Sequence, residues 1–398
     1  MPSLLTTAVL AFLLSLALTP ALIVLLRRLP VPPRLAAGPG LPQRHGTGSQ
    51  GQNREIRNGG SLPAPRLGGL AVVVAAALAL FLPGWLHWPL LGTGANDLLL
   101  RLGPPTLLVL LVGIADDCWN LRPWWKLAGQ LVAALWVVRE GFRVNAILYH
   151  NLGGGLAGLL AVLWLLGCTN AFNLIDGLDG LATGLALFAT GTVLAHAVLI
   201  GEPGLAIVMG ALFGALAAFL LFNFPPASIY LGDAGSLTIG FLLGCMALAW
   251  ANKATTAVGL LAPMLAMFVP MVDTGVAILR RGLAGQPLFG GDQRHIHHRL
   301  LRRGLTPRGA VLVLYGAASL GAAAALLLAD VRQRHTFSLV ILLFVALTAL
   351  GVHQLRYVEF SGMGRLLRRG GFDPRRGLTA QIALRHWRQG IAAAADWP

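Results

Sequence analysis

Long apolar stretches alternate with short polar clusters from one end of this chain to the other. Each stretch is close to the ~20 residues a helix needs to cross the hydrocarbon layer of a membrane. Regular strand alternation is absent from them, which argues against a transmembrane barrel. The pattern predicts eleven spanning helices, over 3–26, 68–90, 102–115, 124–138, 153–169, 181–200, 204–222, 235–251, 254–279, 309–329 and 337–354. The third and fourth are short, and Pro104-Pro105 blurs the start of the third. The first follows no strongly basic segment and carries no clear cleavage site, so it reads as a retained helix. The expected fold is all-α and polytopic, with a transmembrane domain over 1–356 and an Arg-rich tail over 357–398. Residues 31–66, rich in Gly, Pro, Gln and Arg, read as an irregular loop. An interfacial helix is expected in the tail, near Leu378 to Gln389.

Composition agrees with this pattern. Of 398 residues, 56% are hydrophobic and 11% charged, against ~25% charged in soluble domains. Lys and Arg set the orientation. With the N-terminus outside, 24 of the 30 basic residues fall on inward-facing segments, and the C-terminus is cytoplasmic. The net charge of +15 therefore reflects topology and attraction to anionic lipid. No basic-aromatic module points to nucleic acid. Cys118, Cys168 and Cys245 form no CxxC pair and imply no disulfide framework.

Against this background, seven of the 15 acidic residues gather in four polar clusters: Asp116-Asp117, the run 170–180, the run 222–236, and Asp273 with the run 291–298. Charge at a membrane boundary is costly and usually functional. The predicted topology puts all four clusters on the cytoplasmic side, where they can build one site.

Each cluster suggests its own chemistry. Adjacent carboxylates at 116 and 117 point in different directions, so one can contact a metal or substrate while the other takes a proton. Their plainer reading is a solvated helix end. Lys126 can meet a phosphate or snorkel to the interface. Asn173, Asp176 and Asp179 are spaced by three, which on a helix lines up all three side chains. Gly232 and Gly235 flank Asp233, which suits a hard cation or an N-cap. Arg294, His295, His297 and His298 make a phosphate-binding surface, with a zinc site as the other reading. Arg280 and Arg281 flank this loop, and Asp273 reads as their partner as much as a catalyst. No P-loop, no Cys nucleophile and no Ser-His-Asp order appears. Carboxylates for a divalent metal with His, Arg and Lys for phosphates suit phosphoryl transfer, where positioning and charge neutralisation dominate.

The motifs ADD (115–117) with Lys126, NAFNLIDGLDGLATG (170–184), IYLGDAGSL (229–237), PMVDTGVAILRR (270–281) and HIHHRLL (295–301) occur in this order. Together they resemble the polyprenyl-phosphate N-acetylhexosamine-1-phosphate transferases, from about Pro65 (PRLGGLA) to about Tyr315. The HIHH form is similar to the UDP-GlcNAc:undecaprenyl-phosphate branch rather than the muramoyl-pentapeptide branch. The resemblance implies a multi-pass protein of the bacterial inner membrane with a cytoplasmic, Mg²⁺-dependent site in which Mn²⁺ can substitute. It implies transfer of a sugar-1-phosphate from a UDP-N-acetyl sugar to undecaprenyl phosphate, releasing UMP. GlcNAc leads, with GalNAc, QuiNAc, FucNAc and MurNAc-pentapeptide as other sugars. By position, Asp233 resembles the metal ligand, helped by Asn173. Asp116 or Asp117 would bind the lipid phosphate and take its proton. Asp176 and Asp179 would shape the nucleotide-sugar pocket. Lys126, Asn223, Arg281, Arg294, His295, His297 and His298 would hold phosphates or sugar. Direct attack is expected, with a phospho-Asp route left open, and so is a homodimer. The 38–62 stretch departs from the family's acidic-basic loop, with Glu55 its lone acid. The competing readings are a lipid-linked-sugar flippase, whose acids usually lie at the membrane midplane, and an intramembrane zinc protease, for which HExxH is missing.

Overall fold

The computed structural model describes residues 2–28, 64–85, 93–144, 146–147, 150–253, 261–283, 295–330 and 342. In chain order the elements are α1 (Pro2–Arg28), α2 (Gly68–Trp85), α3 (Thr93–Trp119), α4 (Pro123–Arg139), β1 (Ala146–Ile147), β2 (His150–Asn151), α5 (Gly154–Ile175), α6 (Leu181–Leu199), α7 (Pro203–Asn223), α8 (Gly232–Lys253), α9 (Leu261–Ala266), α10 (Phe268–Leu283), α11 (Ile296–Arg302) and α12 (Pro307–Asp330). Among the described residues, α1, α3, α5, α6, α7, α8 and α12 are long and apolar enough to cross a membrane, and α2 and α10 carry shorter apolar stretches. The strands pair antiparallel, Ala146 opposite Asn151. The all-α membrane fold is therefore observed. The predicted span at 337–354 apart from residue 342, the tail, Arg294 and all but the last residues of the 31–66 loop lie outside the described residues.

Helix α5 runs six residues past its predicted end at 169, and two further differences from the predicted spans involve proline. Helix α3 begins nine residues before the predicted start at 102 and runs through Pro104-Pro105. Pro104 and Pro105 have no N–H to give the Leu100 and Arg101 carbonyls, a loss that a helix among apolar neighbours tolerates where its surroundings re-satisfy such groups. The stretch predicted as one span over 254–279 instead contains α9 and α10, which meet at Met267. Pro270 has no N–H to give the Ala266 carbonyl, so the ladder breaks there.

The chain divides into two compact units, Met1–Met271 with Thr306–Arg332, and Val272–Leu305 with Gln333–Pro398. In the first, α8 is the central helix. Protein buries 89% of its most apolar stretch, against 28% for α1. Its Trp250 and Phe241 are fully enclosed, and Trp164 of α5 donates its indole N–H to Gly244 O at 3.1 Å. On the outer layer, Ser15 of α1 donates to Ala215 O of α7 at 2.8 Å.

The segment leading into α2 pairs with the segment leading into α8. Tyr230 N–H donates to Pro65 O at 2.8 Å, Gly68 N–H to Tyr230 O at 2.9 Å, and Gly69 N–H to Leu231 O at 2.8 Å. A Cβ on Gly69 would lie 2.0 Å from Gly235 Cα, so the two helix starts touch backbone to backbone. This contact brings the PRLGG and YLGDAG motifs to the same end of the unit.

Candidate active site

Asp116 and Asp117 lie in the last turn of α3, and successive helical residues diverge by about 100°. The two carboxylates therefore do different work. Asp116 accepts from Lys126 Nζ at 2.9 Å. Asp117 is 4% exposed and reaches under the start of α8. Its two oxygens accept the N–H groups of Asp233 and Ala234, each at 2.9 Å. A helix N-terminus leaves such amides without partners and carries partial positive charge. Asp117 thus caps α8 from another helix. The side chain of Asp233 is left for chemistry, and it pairs with Lys126. Lys126 bridges Asp116 of α3 and Asp233 of α8 instead of snorkelling, and its side chain is only 18% exposed.

Gly113 makes this cap reachable. It lies one turn before Asp117, on the same face. A Cβ there would sit 2.5 Å from Ala234 Cα and 2.6 Å from Asp233 O. Gly113→Val should force α3 off the start of α8. The melting temperature and turnover of the purified protein are expected to fall together, and wild-type values for both would contradict the close approach.

The second cluster is not one helical face. Helix α5 ends at Ile175, and Asp176 caps it with φ −74° and ψ 52°. Gly180, at φ +72°, precedes α6. Asp176 and Asp179 therefore lie on a turn, and the i, i+3 alignment predicted for Asn173, Asp176 and Asp179 stops at the helix end. Asn173 Nδ2 donates to Ser236 Oγ of α8 at 3.0 Å, which holds it beside the acid cluster. Asp179 accepts Ala227 N–H at 2.9 Å. Asn223 is 3% exposed and serves as a tether. It accepts from Thr183 at 2.6 Å and donates to Ile229 O at 2.9 Å.

A cleft of about 60 Å³ opens among Arg66, Asp176, Asp179, Tyr230 and Asp233. Burial pushes the Asp176 carboxyl well above the usual carboxylate range; Asp233 and Asp117 push the same way, and Arg66 opposes them. Burial and then Asp179 raise the Tyr230 phenol. Arg66 and Tyr230 were not singled out from the sequence. The available signal was a lone basic residue inside PRLGG, at the doorstep of a predicted helix. Tyr315 is a further addition: its hydroxyl donates to Gly180 O at 2.6 Å and braces the turn.

The second unit holds the histidine motif and Asp273. Asp273 pairs with His295, whose Nδ1 bonds Oδ2 at 2.8 Å. Oδ1 accepts Ile296 N–H, also at 2.8 Å, so the same carboxylate caps α11. His297 is 1% exposed, and neither ring nitrogen has a hydrogen-bond partner among the described residues. Its ring stacks parallel to His295 at 5.9 Å and lies 4.2 Å from His298.

Burial, with His298 next and Asp273 opposing, lowers the His297 imidazole from its ordinary 6.5 to about 3. The unfolded chain then binds a proton that the folded chain refuses. Stability is full above pH ~6.5 and falls as pH drops toward 3. At pH 5 this residue should cost about 2 kcal/mol. His297→Phe should flatten that part of the pH–stability curve; equal slopes for both proteins would contradict it.

The profile of glycosyl transferase family 4 matches residues 100–251. That range covers the ends of α3, α5 and α7 and the start of α8, where the acid cluster forms. The chain is 34% identical over 256 residues to the probable undecaprenyl-phosphate N-acetylglucosaminyl 1-phosphate transferase of Bacillus subtilis, covering 63% of this chain and 69% of that protein. It is 36% identical over 308 residues to the decaprenyl-phosphate N-acetylglucosaminephosphotransferase of Mycobacterium tuberculosis, covering 66% and 72%. A phospho-N-acetylmuramoyl-pentapeptide-transferase of Limosilactobacillus fermentum matches at 33% over 205 residues, covering 46% and 59%. Identity at this level over more than two thirds of two relatives places the chain among the polyprenyl-phosphate N-acetylhexosamine-1-phosphate transferases of glycosyl transferase family 4.

Proposed function

We propose that this enzyme transfers GlcNAc-1-phosphate from UDP-GlcNAc to undecaprenyl phosphate at the cytoplasmic face of the bacterial inner membrane. The products are undecaprenyl-diphospho-GlcNAc and UMP, and the step opens a cell-envelope polysaccharide. The observation that carries this reading is the convergence of Asp116, Lys126 and Asp233 from three helices. The relatives' names support the sugar and the lipid.

In this reading an oxygen of the lipid phosphate attacks the β-phosphorus of the nucleotide sugar. The bond from that phosphorus to the bridging oxygen breaks, and UMP leaves with the oxygen. Asp116 takes the proton of the lipid phosphate, because both oxygens of Asp117 already hold backbone amides. Lys126 balances phosphate charge. The cleft residues Arg66, Asp176 and Asp179 receive the nucleotide sugar.

Among the described residues, no three His, Cys, Asp or Glu side chains form a ready metal cage. Magnesium does not need one, since it binds through one or two carboxylates plus phosphate oxygens and water. The cluster fits a cation: Asp116 and Asp233 share one ammonium, and the charges of Asp233 and Asp117 already crowd Asp176. Asp233, with Asn173 beside it, would hold magnesium, which when bound neutralises the diphosphate. The ring nitrogens of His297, which have no hydrogen-bond partner among the described residues, support a polar ligand for the histidine motif.

Purified protein in vesicles should release UMP from UDP-GlcNAc only when both Mg²⁺ and undecaprenyl phosphate are present. A panel of UDP-sugars with this one acceptor then ranks the donors. Lipid movement without UMP would instead favour a transporter.

A further inference from the structure

The end of α3 and the start of α4, on either side of a three-residue connection, carry three tryptophans that the chemistry above does not use. Trp119 is 74% exposed, and Trp124 and Trp125 are each 68% exposed. Arg122, between them, is exposed too. A fold that buries Trp250 to 1% does not leave three indoles uncovered by default, since large exposed apolar patches mark an interface. Indole has an apolar body and one N–H donor, which suits the boundary between headgroups and acyl chains.

Two features identify what covers this tip. First, it continues the exposed apolar faces of the two helices it joins. Leu107 and Leu111 on α3 are 54% exposed, and Val132 and Leu135 on α4 are 55% and 52% exposed. Helix α3 is long and apolar enough to cross a membrane, and on such a helix this face meets lipid. Second, Arg122 is a fork-shaped donor matched to phosphate oxygens. Both features suit a lipid surface better than a protein partner.

The tip is also stiff and close to the reactive cluster. Asn120 N–H donates to Asp116 O at 2.8 Å, and Trp125 N–H to Arg122 O at 2.9 Å. A Cβ on Gly129 would lie 2.5 Å from Val112 Cγ2, so α3 and α4 pack tightly just below the tip. Lys126 directly follows Trp125 and pairs with Asp116. The pair therefore lies within about one helical turn, ~5 Å, of the tryptophans. The headgroup layer is itself roughly 5–8 Å deep on each side of the hydrocarbon.

We infer that the α3–α4 tip is a membrane-surface anchor, with Trp119, Trp124 and Trp125 in the headgroup–acyl boundary and Arg122 on lipid phosphates. It sets the depth of the Asp116–Lys126 pair at the level of a lipid-borne phosphate. The depth role rests on the transfer reaction proposed above; the anchoring does not.

The test uses the full chain in vesicles of mixed neutral and anionic phospholipid. In a Cys118→Ser background, Trp124→Cys carries a small fluorophore. Spin-labelled lipids then quench it from the headgroup, the upper acyl chain or the bilayer centre. Quenching should be strongest from the upper acyl chain and headgroup and weak from the centre, with little quenching by aqueous iodide. Iodide quenching without lipid quenching would place the tip in water and overturn the anchor. Protection from both that grows with protein density would point to a second copy and also overturn it.

A kinetic arm tests depth. Replacing the three tryptophans together by Ala should raise the KM for undecaprenyl phosphate in vesicles about tenfold. The KM for UDP-GlcNAc should not change, and replacement by Tyr should restore most of the loss. An unchanged KM for the lipid would overturn the depth role. Should the wild-type protein release no UMP, the transfer reading fails, while the quenching result still decides the anchor.

Discussion

Asp233→Asn is expected to lower kcat about 10³-fold, the scale seen when a group acting on developing charge is removed. The reason is positional. Asp233 lies in the first turn of α8 and sends its carboxylate to Lys126, where phosphate charge would gather. Folding should survive, because the cap of α8 belongs to Asp117 and not to Asp233. The variant should therefore melt within a few degrees of wild type while releasing almost no UMP at ordinary Mg²⁺. Full turnover would remove Asp233 from the mechanism. A collapsed melting temperature would show that the residue holds the fold.

Asp117→Ala should behave in the opposite way and lose its fold. The substitution removes two hydrogen bonds from a buried carboxylate and leaves two amides of the central helix unpaired. Hydrogen bonds to charged groups contribute roughly 1.5–3 kcal/mol each, and stranded amides add a penalty. A loss of at least about 3 kcal/mol is expected, enough to lower both yield and melting temperature. Asp117→Asn keeps one acceptor oxygen, so it should lose less stability than Ala. It should lower kcat through displacement of α8 and Asp233. Equal stability for wild type and Asp117→Ala would refute the cap between helices.

The contrast between these adjacent aspartates marks where sequence reading ends. The acid clusters were legible because charge is rare in an apolar chain, and each cluster sits at the end of a predicted helix. The resemblance of their order to a known family supplied the reaction. The division of labour between Asp116 and Asp117 was not legible. It depends on Gly113 letting α3 close on Ala234, a contact between residues 121 positions apart. Asp179 and Asn223 read as pocket residues and line the cleft, and their contacts with Ala227, Thr183 and Ile229 also make them holders of the 222–231 turn. Their partners are backbone groups or a buried hydroxyl, which spacing does not reveal. Arg66 was visible only as part of PRLGG, because its importance comes from the pairing of that segment with Tyr230 and Leu231. Asp273 offers the reverse lesson. Neighbouring arginines suggested an ion pair, and the structure adds a histidine and the start of α11, neither of which the spacing revealed.

Manganese offers the most direct test of the central claim, because it would occupy the proposed magnesium site and reports by electron paramagnetic resonance. With UDP-GlcNAc present, the wild-type protein should bind one ordered ion per chain. That signal should vanish in Asp233→Asn and persist in His297→Phe. An unchanged bound-ion spectrum in Asp233→Asn would contradict a metal and phosphate site at the meeting of α3, α4 and α8.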